Sequence, residues 1–274
     1  MIRTIDVESY FQRIGYDGAR TPTLATLQAI HLRHPQAIAF ENLDPLLKRP
    51  ISLDSQALEQ KLVHGGRGGW CFEQNWLLAD VLRSLGFHVT GLAARVMWNG
   101  PVDAVRPRTH MLLRIDDLDG GPYIADVGFG GLTLTAPLRL AAEVEQATPH
   151  ETFKLVEMPG GFVLHALVRD LWKPLYSFDL QAQILQDYEV WNWYLEHHSS
   201  SPFLNSLVAA RVAPDRRYAL LNNRLSVHHV RGSSEQITLS SAAELRAALT
   251  ETLRIRLPEG AGVAELLERV TASQ

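Results

Sequence analysis

Residues 64–75 read HGGRGGWCFEQN, in which four glycines precede the only cysteine of the chain. Glycine lets the backbone turn sharply and lets another molecule approach it closely. The apolar residues after Cys71 recur at helical spacing and Gly86 follows as a C-terminal stop, so the spacing predicts a helix that begins at the cysteine. The free N–H groups and partial positive charge of a helix start favour a thiolate and an oxyanion beside it.

Two interpretations of Cys71 follow from this segment. A lone cysteine is often a small buried hydrophobic residue. The glycine run favours a reactive thiol instead, because a residue that only fills the core does not need close approach by another molecule. A reactive thiol also needs a base, which the segment itself does not supply.

A histidine and a carboxylate that suit this purpose follow in the next part of the chain. Residues 109–115 and 122–127 have the composition of strands and are separated by a turn rich in Asp and Gly. A hairpin folded about Leu118 places His110 directly opposite Asp126. A carboxylate beside an imidazole fixes its tautomer and raises its basicity. The pair is either a structural His–Asp bridge or the base and orienting group of a thiol enzyme.

Cysteine, histidine and aspartate therefore follow one another in chain order, the first at a helix start and the other two on the sheet after it. This is the arrangement of papain-like thiol enzymes. The sequence predicts that Cys71, His110 and Asp126 form a catalytic triad for acyl transfer.

The pattern along the whole chain predicts an α+β protein in three parts. Residues 1–86 form a helical bundle that carries the cysteine, residues 87–187 an antiparallel sheet or barrel, and residues 188–274 a mixed α/β part. The second helix is expected to run from Leu24 to His34 and to stop at Pro35. Strands are predicted at 87–97, 109–115, 122–127, 152–157, 161–168 and near 209–240, and further helices at 5–14, 55–63, 188–196, 241–253 and 262–270.

The composition argues against several classes of function. The 274 residues are 46% apolar and 20% charged, as in an ordinary globular protein, and the net charge of −4 gives no basic field for nucleic acid or an anionic membrane. The first twenty residues are charged throughout and no apolar run approaches the ~18 residues of a membrane span. One cysteine cannot form an internal disulfide, which fits a reducing compartment, and we expect a cytoplasmic protein.

Four segments together resemble the arylamine N-acetyltransferases. RGGWCFEQN, from Arg67 onward, is similar to the RGGxCFExN signature of that family. The other three are YFQRIGY at 10–16, FENLD at 40–44 and DVGFGG at 126–131, in the family's order and spacing. Two positions depart from the pattern: Gln74 stands where many members have His, and Trp70 where Tyr or Arg is common.

The resemblance implies a papain-like core with an N-terminal helical bundle, a β-barrel and a C-terminal α/β lid. It implies acetyl-CoA as the donor, a small aromatic amine or hydrazine as the acceptor, and no metal. Glu41 and Arg67 resemble an internal ion pair that supports the triad loop, and Phe40 and Phe129 resemble aromatic walls of the acceptor pocket. Room and backbone access for the CoA thioester are implied at three glycines, Gly128, Gly130 and Gly131.

The triad and the resemblance together predict acetyl transfer from CoA to arylamines and arylhydrazines, and to the oxygen of N-hydroxyarylamines, by a ping-pong mechanism through an acetyl-cysteine. A cysteine hydrolase or a transglutaminase-like enzyme with the same triad is an alternative, as is a non-catalytic ligand-binding homologue. The hydrolase leaves FENLD and DVGFGG unexplained. Arg106 and Arg108 belong either to a site for the CoA phosphates or to an ordinary solvated loop.

Overall fold

The helices of the chain occupy its first third and its last third. The computed structural model describes residues 5–101, 104–230 and 232–272. The helices are α1 (Val7–Ile14), α2 (Leu24–Ala37), α3 (Leu43–Leu46), α4 (Ser55–Leu58), α5 (Cys71–Ser84), α6 (Leu185–His197), α7 (Ala242–Ala247) and α8 (Ala261–Ala272). Helix α4 continues as a π-helical turn over Glu59–His64, and α7 continues in the same way over Ala248–Thr252.

The strands form two antiparallel sheets. The first strand is β1 (Phe40–Glu41). The middle of the chain supplies β2 (His88–Val96), β3 (His110–Asp116), β4 (Tyr123–Ala125), β5 (Leu138–Arg139), β6 (Gln146–Ala147), β7 (Thr152–Met158), β8 (Gly161–Val168) and β9 (Leu171–Phe178). The last third supplies β10 (Val208–Ala213), β11 (Arg216–Leu221), β12 (Arg224–His229) and β13 (Ser234–Thr238).

The middle sheet is a nearly closed barrel. Its eight strands have the order β5-β4-β3-β2-β9-β8-β7-β6. The two outer strands are joined through Gln146, whose side chain accepts a hydrogen bond from the Arg139 N–H at 2.7 Å and donates one to the Arg139 carbonyl at 2.9 Å. Apolar side chains from seven of these strands, among them Leu112, Leu155 and Tyr176, fill the interior. The predicted α+β class with helices around an antiparallel barrel is confirmed.

The second sheet ties the end of the chain to its beginning. Its order is β1-β10-β11-β12-β13, so two residues from the N-terminal third form its edge. Phe40 pairs with Ala210 in this sheet and also bridges to Gly69 in the glycine loop. The glycine loop before Cys71 is therefore held against a sheet built mostly from the last third of the chain.

Two of the differences from the sequence prediction involve proline. Helix α2 does not stop at Pro35 but runs to Ala37. Proline removes only its own backbone donor, and here that loss falls in the last turn of the helix, where burial of His34 and Pro35 holds the backbone in place. Strand β9 was not predicted because Pro174 interrupts its pattern; the structure accommodates the proline opposite His165, at a register shift in β8.

Among the described residues, no helix is both long enough and apolar enough to cross a membrane.

Candidate active site

Cys71 is the first residue of α5 and is buried, with 4% of its surface exposed. Glu73 in the first turn accepts a hydrogen bond from the Trp70 N–H at 3.1 Å, which closes the start of the helix. The Sγ atom lies 3.5 Å from the carbonyl oxygen of Thr109. Gly128 packs directly against the cysteine, since a β-carbon there would lie 2.8 Å from the Cys71 Cα. Only glycine allows the loop after β4 to come this close.

His110 opens β3 and joins the cysteine to a carboxylate. Its Nε2 lies 2.7 Å from Asp126 Oδ2, and the Cys71 side chain is close enough to the ring to favour its protonated form. Because Nε2 is bound to Asp126, Nδ1 is the ring nitrogen that remains for another partner. Burial opposes charge on the ring, but the charge and hydrogen bond of Asp126, together with the neighbouring Cys71, outweigh it and raise the pKa of His110 to about 10. The array therefore favours a protonated imidazole ring beside the Cys71 side chain.

Asp126 is fully buried and is held by three donors in addition to His110. Asn75 Nδ2 and the Gly128 N–H each donate to Oδ1 at 2.9 Å, and the Tyr176 hydroxyl donates to Oδ2 at 3.0 Å. Burial by itself disfavours the carboxylate, but the charge of His110 and these hydrogen bonds lower the pKa of Asp126 below its usual value. The side chain stays ionised and cannot rotate away from His110.

The predicted contact of His110 with Asp126 is present, but the predicted register is wrong. Strands β3 and β4 pair Leu113 with Ala125 and Ile115 with Tyr123, so the hairpin is centred one residue later than expected. His110 and Asp126 are diagonal neighbours rather than direct partners. Side chains alternate with a period of two, so a shift of two positions keeps both on the same face and within reach.

The support of Asp126 by Tyr176 and His31 was not predicted. Tyr176 lies on β9, and His31 on α2 accepts a hydrogen bond from the Asp126 N–H at 3.1 Å. Burial lowers the pKa of His31 to about 3, so this imidazole is neutral and able to accept. Neither residue belongs to a local motif, and only the packing of α2 and β9 around the carboxylate brings them to it.

Replacing Tyr176 by phenylalanine is expected to lower kcat/KM about tenfold, because the Asp126 carboxylate loses one of the hydrogen bonds that stabilise its charged form. Initial rates of CoA release measure the effect. Tyr123→Phe is the matched control, since its hydroxyl donates to the Asp119 carbonyl in the hairpin turn. Equal rates for Tyr176→Phe and the control would show that the hydroxyl does not support Asp126.

Aromatic side chains surround the histidine and the glycine loop. The Phe129 ring lies edge-on to His110, with the centroids 5.2 Å apart. Phe40 is 6.0 Å from Phe203, which in turn lies 5.6 Å from Trp70. Phe203 was not predicted, because it arrives from a short 3₁₀ turn far along the chain. Phe129 thus contacts His110, and Phe40 pairs with Gly69 of the glycine loop before Cys71.

The glycines of DVGFGG have different surroundings. Gly128 contacts Cys71, as described above. Gly130 has a φ of 82°, in the left-handed region that favours glycine, and it faces the Phe40 ring. A β-carbon on Gly131 would lie 3.7 Å from that of Ala219, so this residue faces the second sheet.

Glu41 and Arg67 form the buried ion pair that the resemblance implies. Arg67 Nε donates to Glu41 Oε1 at 2.8 Å, and Arg67 Nη2 is 3.0 Å from Asp44 Oδ1. The cluster also includes Lys61, whose Nζ lies 2.6 Å from both Asp44 Oδ2 and Glu73 Oε1. Because Glu73 caps α5, the ion pair is connected to the start of the helix that carries Cys71.

Removing the guanidinium by Arg67→Met is expected to lower the free energy of unfolding by about 3–5 kcal/mol, because the Glu41 carboxylate, fully buried, loses its counter-ion. Urea denaturation measures the change. Arg20→Met is the control: Arg20 and Glu8 form an exposed pair, worth less than about 1 kcal/mol. A similar loss of unfolding free energy in both variants would contradict a larger contribution from the buried pair than from the exposed pair.

The two departures from the family pattern are both buried. Gln74 accepts a hydrogen bond from His34 Nε2 at 2.6 Å and donates to the carbonyls of Ala39 and Gly69 at 2.8 and 3.2 Å. Trp70 Nε1 donates to Asn192 Oδ1 at 2.9 Å. Both side chains therefore brace the glycine loop from inside.

Arg106 and Arg108 are engaged within the protein. Arg106 donates to the Pro101 carbonyl, and Arg108 pairs with Asp179. Among the described residues, no three or more His, Cys, Asp or Glu side chains come together as a metal site.

A buried Cys–His–Asp array, with the cysteine at a helix start and its partners on a barrel, defines the class of papain-like cysteine enzymes. Comparison with known proteins identifies the family within that class. The sequence profile described as N-acetyltransferase matches residues 23–261. The arylamine N-acetyltransferase of Mycobacterium tuberculosis is 45% identical over 97% of this chain and 92% of its own length. This chain belongs to the arylamine N-acetyltransferase family.

Two further relatives agree with this assignment. The arylamine N-acetyltransferase / N-hydroxyarylamine O-acetyltransferase of Salmonella typhimurium is 40% identical over 87% of this chain and 85% of its own length. The structure of Mycobacterium marinum arylamine N-acetyltransferase in complex with CoA superimposes with a TM-score of 0.91 at 41% identity, covering 97% of this chain and 98% of that one. The resemblance seen in the sequence is confirmed.

Proposed function

We propose that this chain transfers an acetyl group from acetyl-CoA to the nitrogen of arylamines and arylhydrazines, and to the oxygen of N-hydroxyarylamines. The observation that carries the proposal is the buried 2.7 Å contact of His110 with Asp126, next to a cysteine at a helix start. The names of the relatives supply the acceptor class, and the CoA complex of the M. marinum protein supplies the donor.

In the first half-reaction the Cys71 thiolate attacks the carbonyl carbon of the acetyl thioester. The positive end of the α5 dipole stabilises the oxyanion that forms there. His110 then gives its Nδ1 proton to the CoA sulfur as the C–S bond breaks. CoA leaves as a thiol, the acetyl group stays on the cysteine, and His110 is left neutral.

In the second half-reaction a neutral aromatic amine or hydrazine attacks the acetyl-cysteine. Arylamine nitrogens are weakly basic and reach the site unprotonated. The nitrogen proton passes to Nδ1 of His110 as the C–S bond to Cys71 breaks, which restores the thiolate and the imidazolium. Asp126 holds the ring in one orientation through both steps. Two separate half-reactions give ping-pong kinetics.

We assign the acceptor pocket to Phe40 and Phe129. The assignment is supported by the position of the Phe129 ring, 5.2 Å from His110, where a flat aromatic acceptor stacks beside the attacked carbonyl. The thioester end of CoA is assigned to the loop of Gly128, Gly130 and Gly131, which lies against Cys71 at Gly128 and has no side chain at these three positions to obstruct a bulky ligand.

Glu41 and Arg67 are assigned a supporting role, which is consistent with their connection through Asp44 and Lys61 to the cap of α5. Residues 1–86 then supply the nucleophile, residues 87–187 the base and its orienting carboxylate, and residues 188–274 a lid that keeps water from the thioester. A catalytic thiolate suits a reducing compartment, and we place the activity in the cytoplasm.

The test is to mix the protein with acetyl-CoA and an aromatic hydrazine and to measure free CoA and acetylated hydrazine. Equal amounts of the two products support the proposal. Release of CoA without acetylated hydrazine would identify a hydrolase. No release, and no acetyl adduct in the intact mass after acetyl-CoA treatment, would identify a ligand-binding protein, and either outcome would overturn the proposal.

A further inference from the structure

A cavity of about 760 Å³ lies apart from the triad. Its walls are the turn after α3, the C-terminal end of α6, the turn between β11 and β12, and α8. None of Cys71, His110 and Asp126 lines it. The volume is within the range of ~300–1,000 Å³ that is typical of sites for small organic molecules.

The floor of the cavity is apolar. It includes Leu46, Leu207 and Leu266, which belong to the core between the second sheet and helices α7 and α8. Cys71 belongs to a different core, formed by the N-terminal helices and the barrel wall. The floor of the cavity therefore belongs to a different core from the thiol, and a molecule bound there has an apolar surface to cover.

The rim of the cavity is cationic. Lys48, Arg49 and Arg269 line it, and among the described residues of the lining the one carboxylate is that of Glu196. Lys48 is exposed and forms no ion pair within the described part of the chain. Arg49 donates to a backbone carbonyl, that of Glu259, at 2.7 Å, so this contact brings no negative charge to the guanidinium.

The carboxylate of Glu196 is already engaged. Its Oε1 accepts hydrogen bonds from the Ile51 N–H at 3.0 Å and from Asn192 Nδ2 at 2.9 Å. It braces the wall of the cavity, and its one negative charge is fewer than the two positive charges of Lys48 and Arg49. An occupant that carries negative charge is therefore favoured at this rim, because it compensates the remaining positive charge.

We propose that this cavity binds a small amphipathic organic anion, in which an apolar or aromatic body carries one sulfonate, carboxylate or phosphate group. The body covers the leucine floor, and the anionic group lies between Lys48 and Arg49, where charge-assisted hydrogen bonds are available. This binding site does not depend on the acetyl transfer proposed above.

Fluorescence titration with anilinonaphthalene sulfonate tests the proposal, first with the free protein and then with a saturating concentration of CoA. We expect the probe to bind at this cavity. Its Kd there is expected to be about tenfold higher in the double variant Lys48→Gln, Arg49→Gln than in the wild type. Lys173→Gln is the matched control, because Lys173 is an exposed lysine on β9 of the barrel. The Kd in the control is expected to stay within about twofold of wild type.

The titration with CoA distinguishes two ligands that carry the same kind of anionic group, a free organic anion and a nucleotide. Probe binding that persists with CoA and is weakened by the double variant supports a site for a free organic anion. Probe binding that CoA displaces in the wild type, with both ligands weakened by the double variant, supports a site that takes the phosphates of a nucleotide. Probe affinity unchanged in the double variant, with or without CoA, would overturn the proposal whatever the acetylation rate.

Discussion

Replacing Cys71 by serine is expected to lower kcat by about 10⁴-fold or more while the protein stays folded. The substitution is nearly isosteric, and the buried position at the start of α5 accepts a hydroxyl in place of the thiol. A serine hydroxyl does not give up its proton to His110 as a thiol does, so the attacking anion is lost.

Two measurements check this result. CoA release from acetyl-CoA in the presence of an aromatic hydrazine gives the rate, and the intact mass of the protein after acetyl-CoA treatment shows whether one acetyl group is attached. Circular dichroism and thermal unfolding establish that the variant is folded. Turnover close to wild type in folded Cys71→Ser would contradict covalent catalysis by this residue.

The second large effect is expected for Asp126→Asn, with a loss of about 10³- to 10⁴-fold in kcat/KM. The asparagine amide carries no charge to balance the imidazolium. Its side chain has one acceptor oxygen where the aspartate has two. The four donors that this side chain must satisfy are unchanged and come from His110, Asn75, Gly128 and Tyr176. The His110 ring loses both its preferred tautomer and its orientation.

The same variant has a distinct pH signature. In the wild type the raised pKa of His110 keeps the ring protonated well above neutral pH, so alkylation of Cys71 by iodoacetamide is expected to change little between about pH 6 and about pH 9. Without the carboxylate, burial makes the ring neutral at lower pH, and the alkylation rate becomes slow at pH 6 and rises steeply with pH.

Asp119→Asn is the matched control for this experiment, since Asp119 is an exposed carboxylate of the same hairpin. Its alkylation profile and turnover are expected to follow the wild type. A flat alkylation profile in Asp126→Asn would show that the carboxylate does not maintain the charge on His110.

Most of the regular structure in the first two thirds of the chain follows from local pattern. The helix that begins at Cys71 was predicted from apolar spacing and the preceding glycines, and strands β7 and β8 lie where alternating apolar residues place them. Strand β9 was missed because Pro174 conceals it, and β1 because two residues carry no pattern. The partner of β1 lies about 170 residues further along the chain, and nothing local signals such a pairing.

The reacting groups were predicted from short segments of the amino-acid sequence: a cysteine after a glycine run, and a histidine and an aspartate on either side of one turn. These are short-range relations, and the period-two alternation of a strand kept His110 and Asp126 on one face even though the register was misjudged. The contacts that keep Asp126 ionised and fixed in place come from tertiary packing. Tyr176, His31 and the cationic cavity rim are assembled from distant segments by core packing, which no local spacing encodes.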